Sequence, residues 1–117
     1  MNYFGFTETQ RFVKRAENLL GADVISELQL YLCKHPNDGA IIPHSGGIRK
    51  LRWSASGRGK RGGARIIYYY ADKMGRILLL DIYAKNEKEN LAAKDLNELK
   101  NAVKFWLEEL KKIGEIK

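Results

Sequence analysis

The stretch Ala64–Ala71, with Ile66, Ile67, Tyr68, Tyr69 and Tyr70 in succession, constrains this chain more than any other. β-Branched and aromatic residues suit the pleated surface of a sheet and crowd a helix, so the run predicts a strand. Turn formers follow at Asp72–Gly75, and Ile77–Ala84 is apolar again, which predicts an antiparallel hairpin. Upstream, Ile48–Ser54 alternates Ile48, Lys50 and Arg52 with Arg49, Leu51 and Trp53. That spacing predicts another strand with one charged face, although Arg49 falls among the apolar set.

On either side of this block the period is helical. Asn2–Phe6 is expected as a short opening strand. Thr7 then caps a helix, with Gln10 three residues on, and Phe12, Val13, Ala16, Leu19 and Leu20 form its stripe up to Gly21. A second helix is expected from about Ala22 to Lys34, with Val24, Ile25, Leu28, Tyr31 and Leu32 apolar, before the turn formers of His35–Gly39. After the hairpin, Asn90 is expected to cap a long helix to about Lys112, burying Leu91, Leu96, Leu99, Val103, Trp106, Leu107 and Leu110. Helices before and after a small, mostly antiparallel sheet define an α+β class. At 117 residues, without repeats or a linker, one domain over 1–117 is expected.

Composition removes several function classes. No apolar run approaches the roughly 18–20 residues that span a bilayer, and Met1-Asn2-Tyr3-Phe4, with no basic then apolar region, is not expected to open a secretory leader. The single Cys33 cannot close an internal disulfide and fits a reducing cytoplasm; its helical setting suits a small buried hydrophobe better than a nucleophile. One Cys with His35 and His44 makes no zinc set. His35 suits a helix end, and His44 a solvated turn.

Charge is more informative. The net charge is +7, and no acidic residue occurs between Asp38 and Asp72. That interval holds Arg49, Lys50, Arg52, Arg58, Lys60, Arg61 and Arg65; the other 14 basic residues equal the 14 acidic ones. The whole excess sits in one stretch, which points to a polyanionic partner such as nucleic acid. Within it, Ala55–Gly63 holds four glycines and three cations between two strands. Glycines let a backbone approach a polyanion, cations contact phosphates, and Tyr68, Tyr69 or Tyr70 offers a face for a base. Neither phosphate-loop nor dinucleotide spacing is present, since the segment joins strands instead of opening a helix.

The combination GGIRKLRWSASGRGKRGGARIIYYY (46–70), Asp72, and LLLDIYAKNEKENL (78–91) ahead of a terminal helix resembles the RelE/HigB toxins of bacterial toxin–antitoxin pairs. Its Gly-, Lys- and Arg-rich tip is most similar to the HigB branch. The resemblance implies a microbial ribonuclease fold: two N-terminal helices on a small twisted, mostly antiparallel sheet, with a short C-terminal helix. It implies a protein that enters the A site of the small ribosomal subunit and cuts messenger RNA without metal or other cofactor. Its implied partners, besides message and ribosome, are a cognate antitoxin, often with a helix-turn-helix DNA-binding domain; a membrane is not among them.

Such a reaction sends a ribose 2′-hydroxyl against the adjacent phosphate. It needs a proton acceptor, neutralisation of the phosphorane and a proton for the departing 5′-oxygen. Crowded cations can supply a neutral lysine, and arginine matches phosphate oxygens with its planar fork. By the resemblance, Lys50 and Arg52 stand on the basic strand, Arg65 stabilises the phosphorane and Lys85 ends the last strand. Lys60 and Arg61 are candidates for the base or for ribosomal RNA contacts. Arg49 and Arg58 are expected on RNA, with Tyr68 and Tyr70 as stacking faces. The chain departs from the RelE pattern at Asn86, where a second cation is expected, and in lacking an aromatic residue between Tyr83 and Phe105. Tyr68, Tyr70 or Trp53 is the expected replacement for the stacking tyrosine. Two other functions fit a chain of this kind: a ParE-like gyrase inhibitor of the same fold, and a translation inhibitor that occupies the ribosome without cutting.

Overall fold

The computed structural model describes residues 5–53, 63–84 and 91–113. Among them run β1 (Phe6–Glu8), α1 (Gln10–Leu19), α2 (Ala22–Lys34), β2 (Ala40–Ile41), β3 (Ile48–Trp53), β4 (Ala64–Ala71), β5 (Arg76–Ala84) and α3 (Ala93–Lys112). The strands form one sheet in the order β1-β5-β4-β3-β2, with β1 parallel to β5 and the remaining pairs antiparallel. The α+β class and the mostly antiparallel sheet are as the sequence predicts.

Alternation in β4 divides its side chains between two cores. Ala64, Ile66 and Tyr68 are buried with Phe12, Ala16, Leu28 and Leu32 of α1 and α2. Ile67 lies on the other face with Ile48, Leu78 and Leu80, under Leu99, Val103, Trp106 and Leu110 of α3. A sheet covered on both faces explains why β4 and β5 are continuous apolar runs instead of alternating ones. Each fully buried Ile or Leu contributes about 1.5–3 kcal/mol, so these central strands anchor the fold.

Several boundaries differ from expectation for identifiable reasons. Thr7 does not cap α1; it lies in β1 opposite Leu78, in a ladder that buries Phe6. Thr9 is the cap instead: its Oγ1 accepts from the Phe12 N–H at 3.0 Å and donates to the Leu80 carbonyl at 2.8 Å. Val13 and Leu19, expected in the buried stripe, are exposed. The cap of α3 is Ala92, which makes no side-chain cap bond, so the expected Asn90 cap is corrected; Asn90 itself lies outside the described residues. With Asp95 in its first turn and Lys111 and Lys112 in its last, α3 instead complements its own dipole. At 20 residues it is not the short helix that the resemblance implies.

A bulge in β5 matters most for function. Ile67 pairs with Asp81 and Tyr68 with Leu79, leaving Leu80 as the extra residue. Its carbonyl is the one that the Thr9 hydroxyl binds. The extra residue also shifts the strand's phase. Ile77 and Leu79 face α1 and α2, yet beyond the bulge it is Ile82 that faces them and Tyr83 that joins the α3 side. Next to the bulge, the buried Asp81 carboxylate accepts from the Ile82 N–H at 2.8 Å and stands 3.6 Å from both Arg11 and Arg15 of α1. Arg11 also donates to Glu98 of α3 at 2.9 Å, so one arginine ties both helical layers to β5.

Candidate nucleic-acid interface

Strand pairing fixes which cations meet. Arg52 lies opposite Arg65 across β3 and β4, and Arg65 lies opposite Tyr83 across β4 and β5. Directly paired residues share a sheet face, so Arg52, Arg65 and Tyr83 form one row on the α3 side. Lys50, two residues from Arg52 and opposite Ile67, shares that face. Paired Cβ atoms stand about 5 Å apart and a two-residue step is roughly 6.8 Å, so the three cations are within reach of one dinucleotide step.

The row is costly without an anion. Like charges directly opposite each other on a sheet destabilise it, by up to about 1 kcal/mol. The Nη1 of the half-buried Arg65 is enclosed and has no hydrogen-bond partner among the described residues. A buried donor left unmet costs about 1–3 kcal/mol, more when charged. A phosphate between Arg52 and Arg65 would offset the repulsion with charge-assisted bonds. Local features that oppose stability in this way mark functional positions.

The row continues toward residues the sequence singled out. Trp53, Ala64 and Ala84 pair in succession at this end of the sheet. The segment carrying Arg58, Lys60 and Arg61 connects to Trp53 and Gly63, and Lys85 follows Ala84. Those four cations lie outside the described residues.

Three of the residues expected on RNA lie on the other face of the sheet. Arg49 occupies the opposite face, where its Nη1 donates to the carbonyls of Asn37 (3.0 Å) and Gly39 (2.7 Å). Tyr68 is fully buried; its hydroxyl donates to the Pro36 carbonyl at 2.8 Å and accepts from the Gly39 N–H at 2.9 Å. Burial raises the Tyr68 pKa, outweighing the opposing effects of the Gly39 hydrogen bond and Arg49, so the phenol stays protonated as a donor. Together the two side chains hold the 36–39 connection, and Gly39 is tailored to them. A Cβ there would stand 2.9 Å from Tyr68 Cε1 and 3.1 Å from Arg49 Cβ. Tyr70 packs half-buried against the core under α1 and α2, again on the far face. None of the three shares the face of Arg52 and Arg65.

Trp53 is on that far face too, its ring 5.4 Å from Tyr31. Tyr31 also lies 4.7 Å from His35 and hydrogen-bonds Asp38, and that bond is the main cause of its raised pKa. Of the three consecutive tyrosines, only Tyr69 is on the α3 side, edge-on to Trp106 at 6.3 Å. Sequence reasoning missed Tyr83, whose face depends on the bulge. His35 is the C-cap of α2, its N–H donating to the Tyr31 carbonyl, while His44 takes a left-handed φ of 61° in an exposed turn. Cys33 is half-buried and burial pushes its thiol pKa up, which suits packing and not attack. Among the described residues no three His, Cys, Asp or Glu side chains gather as a metal site, and no helix is long and apolar enough to cross a membrane.

Comparison with known proteins agrees with this architecture. A family model described as the RelE toxin of the RelE/RelB toxin–antitoxin system matches residues 10–115. A mutant of the Escherichia coli toxin RelE in the free state superposes with a TM-score of 0.53 at 15% identity, covering 75% of this chain and 90% of that one. The toxin–antitoxin complex RelBE of the same organism matches at a TM-score of 0.47 and 17% identity, over 68% of this chain and 94% of that one.

Proposed function

Since the chain belongs to the RelE toxin family, we propose that it is a ribosome-dependent endoribonuclease that cleaves messenger RNA in the A site of the small subunit. The observation that carries this reading is the row of Arg52 and Arg65, with Lys50 beside it, on one face at one end of the sheet. Phosphodiester cleavage passes through a dianionic phosphorane. Two arginines whose Cβ atoms stand about 5 Å apart can bracket that charge more tightly than they bind the ground-state monoanion.

In this reading the half-buried Arg65 guanidinium takes the non-bridging oxygens, its planar fork matching their geometry. Arg52, exposed at the end of β3, contacts the flanking phosphate, and Lys50 extends the contact along the strand. Proton transfer from the 2′-hydroxyl and to the 5′-oxygen is assigned to Lys60, Arg61 or Lys85, whose segments leave the same end of the sheet. The products are a 2′,3′-cyclic phosphate and a 5′-hydroxyl, and the reaction uses no metal. The ribosome contributes orientation, which is worth effective molarities of about 10⁵ M or more and offsets modest acid–base groups. The glycine- and cation-rich segment 54–62 supports a HigB-like reading within the family. Ribosomes make the cytoplasm its place of action, and an antitoxin is its natural partner, as in the E. coli RelBE complex.

Primer extension on a defined message in a reconstituted translation mixture, with and without ribosomes, tests the reading. Cuts that require ribosomes and fade in Lys60→Ala and Arg65→Ala variants are the expected result. An intact message with halted translation would replace cleavage by occupancy. An intact message with normal translation would remove the ribosome from the account and leave gyrase inhibition to be assayed.

A further inference from the structure

A second group of cations on the α3 side takes no part in the proposed reaction. Ala93, Lys94, Leu96, Asn97 and Lys100 of α3, together with His44, line a groove of about 480 Å³. The helical positions recur at the spacing of one face. Among the described residues no acidic side chain lines the groove; Glu98, one turn after Lys94, is bonded to Arg11 of α1. Lys94 and Lys100 are exposed, about 9 Å apart along the axis.

The opposite wall is fixed in place. The buried Ser45 Oγ donates to the Ile42 carbonyl at 2.6 Å and accepts from the Ile48 N–H at 2.9 Å, locking the turn that presents His44. A neighbouring cavity of about 210 Å³, lined by Ile42, Lys50, Leu91 and Leu96, shares Leu96 with the groove and reaches Lys50 of the candidate site. The two adjoin at Leu96, and Lys50, Lys94 and Lys100 line this trough.

We infer that this trough is a second phosphate-binding track, which takes the sugar–phosphate backbone of an RNA strand that continues past Lys50. The inference rests on the ribonuclease reading and names a surface which that reading does not use. Charge favours a polyanionic backbone as occupant: the groove offers two lysines and an amide, and it adjoins at Leu96 the cavity that Lys50 lines. Its role is affinity and register, since phosphate contacts position a strand without reading its sequence.

The test compares Lys94→Gln/Lys100→Gln with a charge-matched control, Lys14→Gln/Lys34→Gln, on the exposed faces of α1 and α2 across the sheet. Affinity for message-programmed ribosomes, and separately for a single-stranded oligoribonucleotide, is titrated over ~50–200 mM salt, where phosphate contacts are strongly salt-dependent. Losing two contacts lowers the log–log salt slope by about 1.4–1.8 and weakens binding roughly 10–30-fold near 0.15 M. The groove variant is expected to show this loss at a wild-type melting temperature, with the control unchanged. A loss on both probes assigns the track to the message; a loss on ribosomes alone assigns it to ribosomal RNA. Wild-type affinity and slope in the groove variant, or an equal loss in the control, would overturn the inference. If Arg65→Ala still cuts message while the groove variant binds weakly, the cleavage assignment fails and the track stands. If wild-type protein binds neither probe, both fall together.

Discussion

On the α1/α2 side of the sheet, Arg49 gives its guanidinium to two backbone carbonyls and Tyr68 closes the same connection with its hydroxyl. On the α3 side of the same two strands, Arg52 and Arg65 oppose each other and the Arg65 Nη1 has no partner among the described residues. Both pairs span β3 and β4, and each contains an arginine of β3. On one face the polar groups build the fold; on the other Arg52 and Arg65 are set together, which is what the proposed RNA contact rests on. Cationic residues in a basic stretch are therefore not one functional class; the face of the strand decides.

That contrast sets the order of expected effects. Arg65→Ala should lower ribosome-dependent cleavage about 10²–10³-fold, the loss typical of removing a transition-state donor, with little change in melting temperature. On the other face, Arg49→Met removes two charge-assisted bonds and Tyr68→Phe strands the Pro36 carbonyl and the Gly39 N–H. Each should cost about 1–3 kcal/mol in urea unfolding while cleavage per folded molecule is kept. Because both side chains hold residues 36–39, the double variant should be non-additive by about 0.5 kcal/mol or more.

A smaller effect is expected at Arg52. Replacement by Thr removes the repulsion opposite Arg65, so stability should rise by roughly 0.5 kcal/mol, while the salt slope of RNA binding falls by about one. The two readouts moving in opposite directions distinguish a ligand contact from a structural one. The smallest effect concerns alkaline pH. Burial raises the Tyr68 pKa above that of the unfolded chain, so its contribution to stability is intact below about pH 10 and declines above it. Tyr68→Phe should remove that part of the decline in a pH series of thermal melts.

Much of the fold was legible because its signals are local. The bounds of α2 and β4 follow from helical spacing between Gly21 and His35 and from the run of β-branched and aromatic residues. What failed to show depended on pairing between distant segments. Thr7 and Thr9 are equivalent as caps until β1 pairs with β5 and takes Thr7 into the sheet. β2 is two residues long, too short to have a period. The candidate site was legible in part: alternation in β3 already separated Lys50 and Arg52 from Arg49, and a cation among Leu51 and Trp53 was the sign of a structural role. Continuous apolar strands carry no mark of which side faces which helix, so the placement of Tyr68 and Tyr70 was hidden. The position of Tyr83 was hidden more deeply, because one inserted residue, Leu80, reverses the strand's phase.

The most direct test of the difference between the faces is single-turnover cleavage of a ribosome-bound message by Arg65→Ala, with Arg49→Met measured alongside at a temperature where both are folded. The expected result is cleavage lost in Arg65→Ala and retained in Arg49→Met. Retained cleavage in Arg65→Ala, or an equal loss in both, would contradict the division of the sheet into a face that builds the fold and a face that binds RNA.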